Sequence, residues 1–204
     1  MKIAILSFDI ESTGPNIIKN EIIAIGYCLG DNYGNILYKK RINIKYTQPF
    51  DKICYKNFWS KHQDKLKILQ NDAVKPDEAI SEFIKDVDAA FAEYDLKIIS
   101  DNPSFDVGFI NYYLALYLDR KPINYKFNEI YTPVYDTDSY SRGVVHATYD
   151  KDVYDSELIK KYKLEIDQKY DHLPDNDAAY IYLFHTQLMK KAVISLSPTQ
   201  NQKI

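Results

Sequence analysis

Cysteine is scarce in this 204-residue chain. Cys28 and Cys54 are too few for a disulfide framework, and no Cys/His spacing matches a zinc site. That usage fits a reducing, intracellular (cytoplasmic) compartment. Long apolar runs are missing as well. None approaches the ~20 residues of a membrane-crossing helix, so no membrane partner is expected. The opening MKIAILSFDIES turns acidic after a short apolar stretch and lacks the long apolar region and cleavage site of a secretory signal. Basic charge is not in excess: 26 Lys and Arg stand against 29 Asp and Glu, for a net charge of −3. This excludes a protein that coats long stretches of phosphate and leaves open one that grips only a strand end. Arginine is nearly absent, 3 against 23 lysines; with 19 tyrosines, the bias follows A/T-rich codons and says little about chemistry. No internal repeat and no Gly/Ser- or Pro-rich linker divides the chain. What remains is 46% hydrophobic and 27% charged residues, enough for one soluble core. The expectation is a single domain over residues 1–195 and a polar tail, 196–204, that frays.

Residues 2–11 read as a strand with apolar residues on both sides, Ala4, Leu6, Phe8 and Ile10 on one and Ile3 and Ile5 on the other, which places it inside a sheet. Residues 21–30 read as a second strand. Asp31-Asn32-Tyr33-Gly34-Asn35 is turn-forming, and 36–45 returns as a third strand, completing an antiparallel meander. Ile80, Phe83, Ile84, Val87 and Phe91 form the stripe of an amphipathic helix over 77–94. A short strand, Leu96 to Ser100, follows. Asn102-Pro103 fits an N-cap and first-turn proline of a helix that packs Val107, Ile110, Leu114 and Leu118. A further short strand is expected near Val134-Tyr135 and some helix around 155–163, within a stretch, 124–172, that shows little pattern. The last helix starts near Pro174 and carries Ala178, Ile181, His185, Leu188 and Ala192 on one side. This order predicts an α/β domain with a mixed sheet.

Three polar clusters interrupt these elements. The first strand ends Phe8-Asp9-Ile10-Glu11, so Asp9 and Glu11 share a face. In a partly buried place one carboxylate takes up a proton or a cation neutralises the pair; a strand end in solvent would tolerate both acids. Oxygen-only ligands select Mg²⁺ or Mn²⁺ over zinc. In Asn102-Pro103-Ser104-Phe105-Asp106, the acid complements the dipole of the helix it opens. The same turn lies beyond a strand's carboxyl end, where ligands bind in parallel sheets. In His172-Leu173-Pro174-Asp175-Asn176-Asp177, one continuous helix would set His172 and Asp177 about 140° apart. With Pro174 opening the helix, His172 instead lies in the preceding loop and Asp177 in the first turn. A loop imidazole beside a helix-anchored carboxylate suits a base next to a metal. Taken singly, the two also read as a surface histidine and a helix-start acid.

In this order and at these intervals, FDIESTG, N-x₃-FD and H-x₄-D resemble the DEDDh family of 3′–5′ exonucleases, over roughly residues 3–190. His172, where the other branch carries Tyr, points to the "h" branch. Pro174 stands where a small residue is frequent and Asp175 adds an acid; neither departure removes a ligand. The resemblance implies an RNase H-like α/β fold, with a central mixed five-stranded sheet of antiparallel meander plus parallel strands, flanked by helices. It implies a catalytic set of His172, Asp9, Glu11, Asp106 and Asp177, the four acids being metal ligands. Asp9, Glu11 and Asp177 would hold the first of two divalent cations, Mg²⁺ or Mn²⁺, and Asp9, with Asp106 nearby or through water, the second. Two such ions roughly 3.5–4 Å apart stabilise both the entering and the leaving oxygen. Neutral His172 would take the proton of the attacking water. Ser12, Thr13, Gly14, Asn102 and Phe105 are the implied substrate-binding residues. Thr13-Gly14 would let backbone approach the terminal nucleotide, and Phe105 would either stack on a base or pack behind Asp106. Lys39, Lys40 and Arg41, and Lys160, Lys161 and Lys163, are phosphate contacts or simply solvated faces. Asp136 reads as structural and His185 as a core residue.

The function implied is hydrolysis of phosphodiester bonds from the 3′ end of single-stranded nucleic acid, releasing 5′-mononucleotides. DNA is favoured because Phe58-Trp59-Ser60-Lys61-His62 followed by a helix is similar to a segment of phage and viral exodeoxyribonucleases. The alternatives are an exoribonuclease or oligoribonuclease on RNA ends, and a catalytically silent nucleic-acid-binding or polymerase-associated module. The intact set of acids and histidine counts against the silent module. The 2′-hydroxyl is read by a few local contacts, and neither a polymerase partner nor an oligomeric state is legible.

Overall fold

The computed structural model describes residues 1–144 and 153–196. The expected fraying of the tail, at 197–204, lies outside the described residues. The centre is a five-stranded sheet in the order β3-β2-β1-β4-β7. Its strands are β1 (Lys2–Ser12), β2 (Ile22–Asp31), β3 (Ile36–Asn43), β4 (Tyr94–Ser100) and β7 (Val134–Asp136). β1, β2 and β3 pair antiparallel, whereas β4 runs parallel to β1 and β7 parallel to β4. The fold is therefore the mixed α/β sheet expected.

β1 is buried on both faces, and its period-two alternation decides what lies where. Leu6, Phe8 and Ile10 pack with Ile80, Phe83, Ile84 and Val87 of α3 (Pro76–Glu93) and with Ile110 and Leu114 of α4 (Asp106–Leu118). Phe83 anchors this layer, edge-on to Phe8 at 5.9 Å and to Tyr27 at 5.1 Å. On the other face Ile5 joins Cys28, Ile99 and the Ala178, Ala179 and Tyr182 side chains of α7 (Pro174–Leu196). Ser7, next along that face, is buried and donates to the Ala178 carbonyl at 2.5 Å. Asp9 and Glu11 follow in the same alternation, so both carboxylates point toward the start of α7.

α4 opens three residues later than the Asn102-Pro103 pair suggests. The Asn102 carbonyl accepts the N–H groups of both Phe105 and Asp106, forming a turn that makes Asp106 the first helical residue. α7 is buried on two sides rather than one. On a second side Phe184, together with Leu188 of the expected stripe, packs under Leu158 of α6 (Asp155–Tyr162) and Leu164.

Apart from the helix expected after His62, found over Gln63–Gln70, the elements that sequence pattern misses are short. α1 (Lys52–Asn57), a 3₁₀ turn (Trp59–Lys61) and α2 (Gln63–Gln70) bridge β3 to α3, and the hairpin β5 (Tyr125–Lys126) and β6 (Ile130–Tyr131) and α5 (Thr137–Val144) flank β7. Elements of two to eight residues hold too few periods to register. Trp59 fixes the first group: it is fully buried and its indole Nε1 donates to the Ser12 carbonyl at 2.9 Å. No helix among the described residues is long and apolar enough to cross a membrane.

His185 is buried, as its place on the α7 stripe predicts, with its ring edge-on to Tyr140 at 5.0 Å. Its Nδ1 has no hydrogen-bond partner among the described residues. Burial disfavours the imidazolium and brings its pKa down to about 4 from 6.5. The unfolded chain therefore binds the proton first as pH falls, and stability is lost below about pH 6.5. Thermal or urea unfolding at pH 7.5 and pH 5 should show the wild type losing about 2 kcal/mol more than His185→Leu over that interval. Equal losses in the two proteins would contradict this.

Candidate active site

Asp9 and Glu11 are only 8% and 9% exposed. Neither carboxylate accepts a hydrogen bond from the described residues. Burial first, then the neighbouring carboxylates (Asp106 and Glu11 around Asp9, Asp177 and Asp106 around Glu11), pushes both well above the usual carboxylate range. Asp106, at the start of α4, is tied down. Its Oδ1 accepts the Ile10 N–H at 3.3 Å and its Oδ2 the Ser100 hydroxyl at 2.8 Å, clamping α4 to β1 and β4. Its pKa is pushed up to about 7, by burial and then by Asp101.

Asp177 is tied down too. Its two oxygens accept the N–H groups of Asp171 at 2.7 Å and His172 at 3.0 Å, and burial pushes its pKa up to about 7. These bonds hold His172 in the left-handed backbone region, with φ of 62°. α7 can bring Asp177 this close because Gly26 of β2 lies beneath its first turn. Gly26 pairs with Asp9 in the sheet, and a Cβ there would overlap the Pro174 carbonyl and the Asp175 nitrogen.

The donor atoms fall into two groups, each within 4.8 Å: Glu11, His172 and Asp177, and Asp9, Asp101 and Asp106. All six residues line one cleft of about 760 Å³. Asp101 escapes sequence reasoning; its only signal is an acid directly before Asn102, one residue past β4. The His172 ring is enclosed by Phe58 at 4.8 Å, His62 at 4.9 Å and Tyr170 at 6.0 Å between ring centres. Burial, then the His62 imidazole, lowers its pKa below the usual histidine value. The base candidate is thus held neutral around pH 7.

Asn102 and Phe105 line the same cleft. Ser12 and Gly14 line an adjoining groove with Phe58, Trp59 and Phe105. Gly14 also has a packing reason to be small, because a Cβ would strike Asn20 and Asp51. Thr13 is the exception among the expected substrate contacts. It is fully buried, its hydroxyl accepts the Glu21 N–H at 2.9 Å, and its backbone bonds Glu21 and Asp51, so it closes the strand-end turn. Lys39 and Arg41 pair with Asp175, and Lys40 with Glu82 and Asp86. None of these three, nor Lys160, Lys161 or Lys163, lines the cleft. Asp136 caps α5, accepting the Ser139 N–H at 2.9 Å and hydroxyl at 2.7 Å.

Buried, unpartnered carboxylates beside two hydrogen-bonded ones make a hard, all-oxygen donor set with one imidazole adjacent. That set fits Mg²⁺ or Mn²⁺, whose charge would offset both these acids and a phosphodiester. Fold and site together define a metal-dependent nuclease with an RNase H-like sheet. A family model described as an exonuclease (RNase T) matches residues 6–184, and the chain belongs to this family. No curated protein sequence matches the chain. Among solved structures, the Mg²⁺- and Mn²⁺-bound form of S. pombe Pop2p superposes with a TM-score of 0.62 at 15% identity, over 95% of this chain and 83% of that one. The nuclease domain of 3′hExo, described as a DEDDh family member bound to rAMP, gives 0.64 at 13%, over 93% and 92%. The zinc-bound E. coli ExoI–ssDNA complex gives 0.63 at 12%, over 98% of this chain and 42% of that one.

Two outcomes follow from this geometry. Groups whose folded pKa is raised stabilise the protein at low pH and cease to do so as pH rises through about 7. Mg²⁺ or Mn²⁺ should therefore raise the melting temperature, more at pH 8 than at pH 6, with EDTA reversing the shift; a cation-independent melting temperature at pH 8 would contradict this. Gly26→Ala should keep the far-ultraviolet circular dichroism of the wild type while losing about 10²-fold in nuclease rate, because it lifts Asp177 and His172 off β2. A folded Gly26→Ala protein with full activity would show that this close approach is dispensable.

Proposed function

We propose that this protein is a 3′–5′ exonuclease that hydrolyses single-stranded nucleic acid, DNA in preference to RNA, and releases 5′-mononucleotides. The observation that carries the reading is the meeting of Asp9, Glu11, Asp106 and Asp177 with a neutral His172 in one cleft. Asp9, Glu11 and Asp177 hold one cation, and Asp9 with Asp106 the other. Bound there, Mg²⁺ or Mn²⁺ supplies positive charge that stabilises the entering and leaving oxygens. His172 takes a proton from the attacking water as its oxygen bonds to phosphorus. The bond from phosphorus to the 3′-oxygen breaks, and that oxygen, on the end of the shortened strand, takes up a proton from solvent water. Phe58 and Phe105, on the cleft wall, stack on the terminal bases, and Asn102 offers a polar contact beside them.

Stacking tolerates either sugar, and the single-stranded DNA held by the E. coli ExoI neighbour supports DNA. RNA is the second reading, supported by the rAMP bound to 3′hExo and by the RNase domain of yeast Pop2 among the similar folds. The test uses 5′-labelled single-stranded DNA and RNA of equal sequence, with Mg²⁺, Mn²⁺ or EDTA. Ladders that shorten from the 3′ end, faster on DNA and absent with EDTA, are expected. Asp9→Ala should abolish them, and His172→Ala should slow them by about 10²- to 10⁴-fold at saturating Mg²⁺. Faster cleavage of RNA would exchange the two substrate readings. Internal cleavage, or a His172→Ala rate close to wild type, would overturn the mechanism.

A further inference from the structure

We propose that Asp101, oriented by Tyr170, is a fifth carboxylate ligand that lets the second cation bind before any nucleic acid arrives. The inference rests on the two-cation reading above and adds to it.

Three carboxylates form this part of the cleft, and they come from three different places in the chain. Asp9 lies on the buried face of β1, Asp106 opens α4, and Asp101 stands one residue past β4. Their oxygens lie within 4.8 Å of one another. Asp9 is the member that points to a ligand. It is more than nine-tenths buried, faces Asp101 and Asp106, and accepts no hydrogen bond from the described residues. Asp106 already accepts two hydrogen bonds, from Ile10 and Ser100, and so keeps a fixed orientation. Asp101 is oriented from the other side of the cleft, because its Oδ2 accepts the Tyr170 hydroxyl at 3.2 Å. Three like charges in so small a space repel strongly unless a cation lies among them.

Without Asp101, the second cation would rely on Asp9, which it shares with the first, and on Asp106; phosphate oxygens of the substrate would have to complete its coordination. With Asp101 the protein supplies three carboxylates on its own. The Tyr170 ring also packs against His172 and, at 5.5 Å, against Tyr180 of α7. One side chain therefore orients the added ligand and borders the general base.

The experiment is Mn²⁺ titration by calorimetry of the full chain without nucleic acid, with parallel melting curves. The wild type should bind two Mn²⁺. Asp101→Asn should bind one with wild-type affinity and the second at least tenfold more weakly, and Tyr170→Phe should weaken only the second. Asp101→Asn should also melt no lower than the wild type in EDTA, since it removes a half-buried like charge, yet gain less from Mn²⁺. Two unchanged Mn²⁺ sites in Asp101→Asn would overturn the inference and leave the nuclease reading standing, as would a wild type that binds one Mn²⁺ until nucleic acid is added. An Asp101→Asn protein destabilised in EDTA, with its Mn²⁺ affinities intact, would make Asp101 merely an anchor for Tyr170. A wild type that binds no Mn²⁺ with or without nucleic acid would instead sink the metal-dependent reading itself.

Discussion

Carboxylates gathered where water is largely excluded set the terms for the rest of this molecule. Moving a charged group out of water costs several kcal/mol even after relaxation, and like charges add to that cost. Asp9 and Glu11 nevertheless stand on a strand covered on both faces. The protein treats its acids unequally. Asp106 and Asp177 are clamped by hydrogen bonds to backbone and hydroxyl groups, while Asp9 and Glu11 accept none from the described residues. Clamped acids define the shape of the site, and the other two keep their lone pairs open to the cleft.

The same bonds link two residues of the cleft. Asp177 accepts the N–H of His172, so this carboxylate also holds the loop that carries the imidazole. That loop adopts a left-handed backbone at a non-glycine residue, which persists only where its surroundings over-determine it. Phe58 and His62 enclose the imidazole from a segment anchored by Trp59 to the end of β1. A segment more than a hundred residues away thus meets the ring, and burial with the His62 imidazole lowers its pKa.

Much of the framework was legible beforehand. β1, β2, β3, α3 and α4 carry apolar alternation or stripes long enough to read, and the two acids on β1 follow from the same alternation. The three motifs marked Asp9, Glu11, Asp106, His172 and Asp177. Other features were not legible. Asp101 looks like any acid in a turn until β4 and α4 bring it against Asp9. Thr13 looks like a substrate contact until the strand-end turn closes over it. The lysines of β3 look free until α3 and α7 supply their partners. α7 reads as one-sided because the helix expected around 155–163, here α6, carries nothing in its own pattern that says which face of α7 it covers.

What the amino-acid order alone determined is therefore local: strand and helix periods, a turn opened by proline, and the types of atom offered to a ligand. These depend on neighbours two to four residues away, and backbone sterics enforce them without reference to the rest of the chain. Which acids share a space, which are hydrogen-bonded and which stay free was decided only when α4 and α7 packed against β1 and β2. That packing is governed by fit between distant surfaces, such as the bare backbone of Gly26 beneath Pro174, and no local period encodes it.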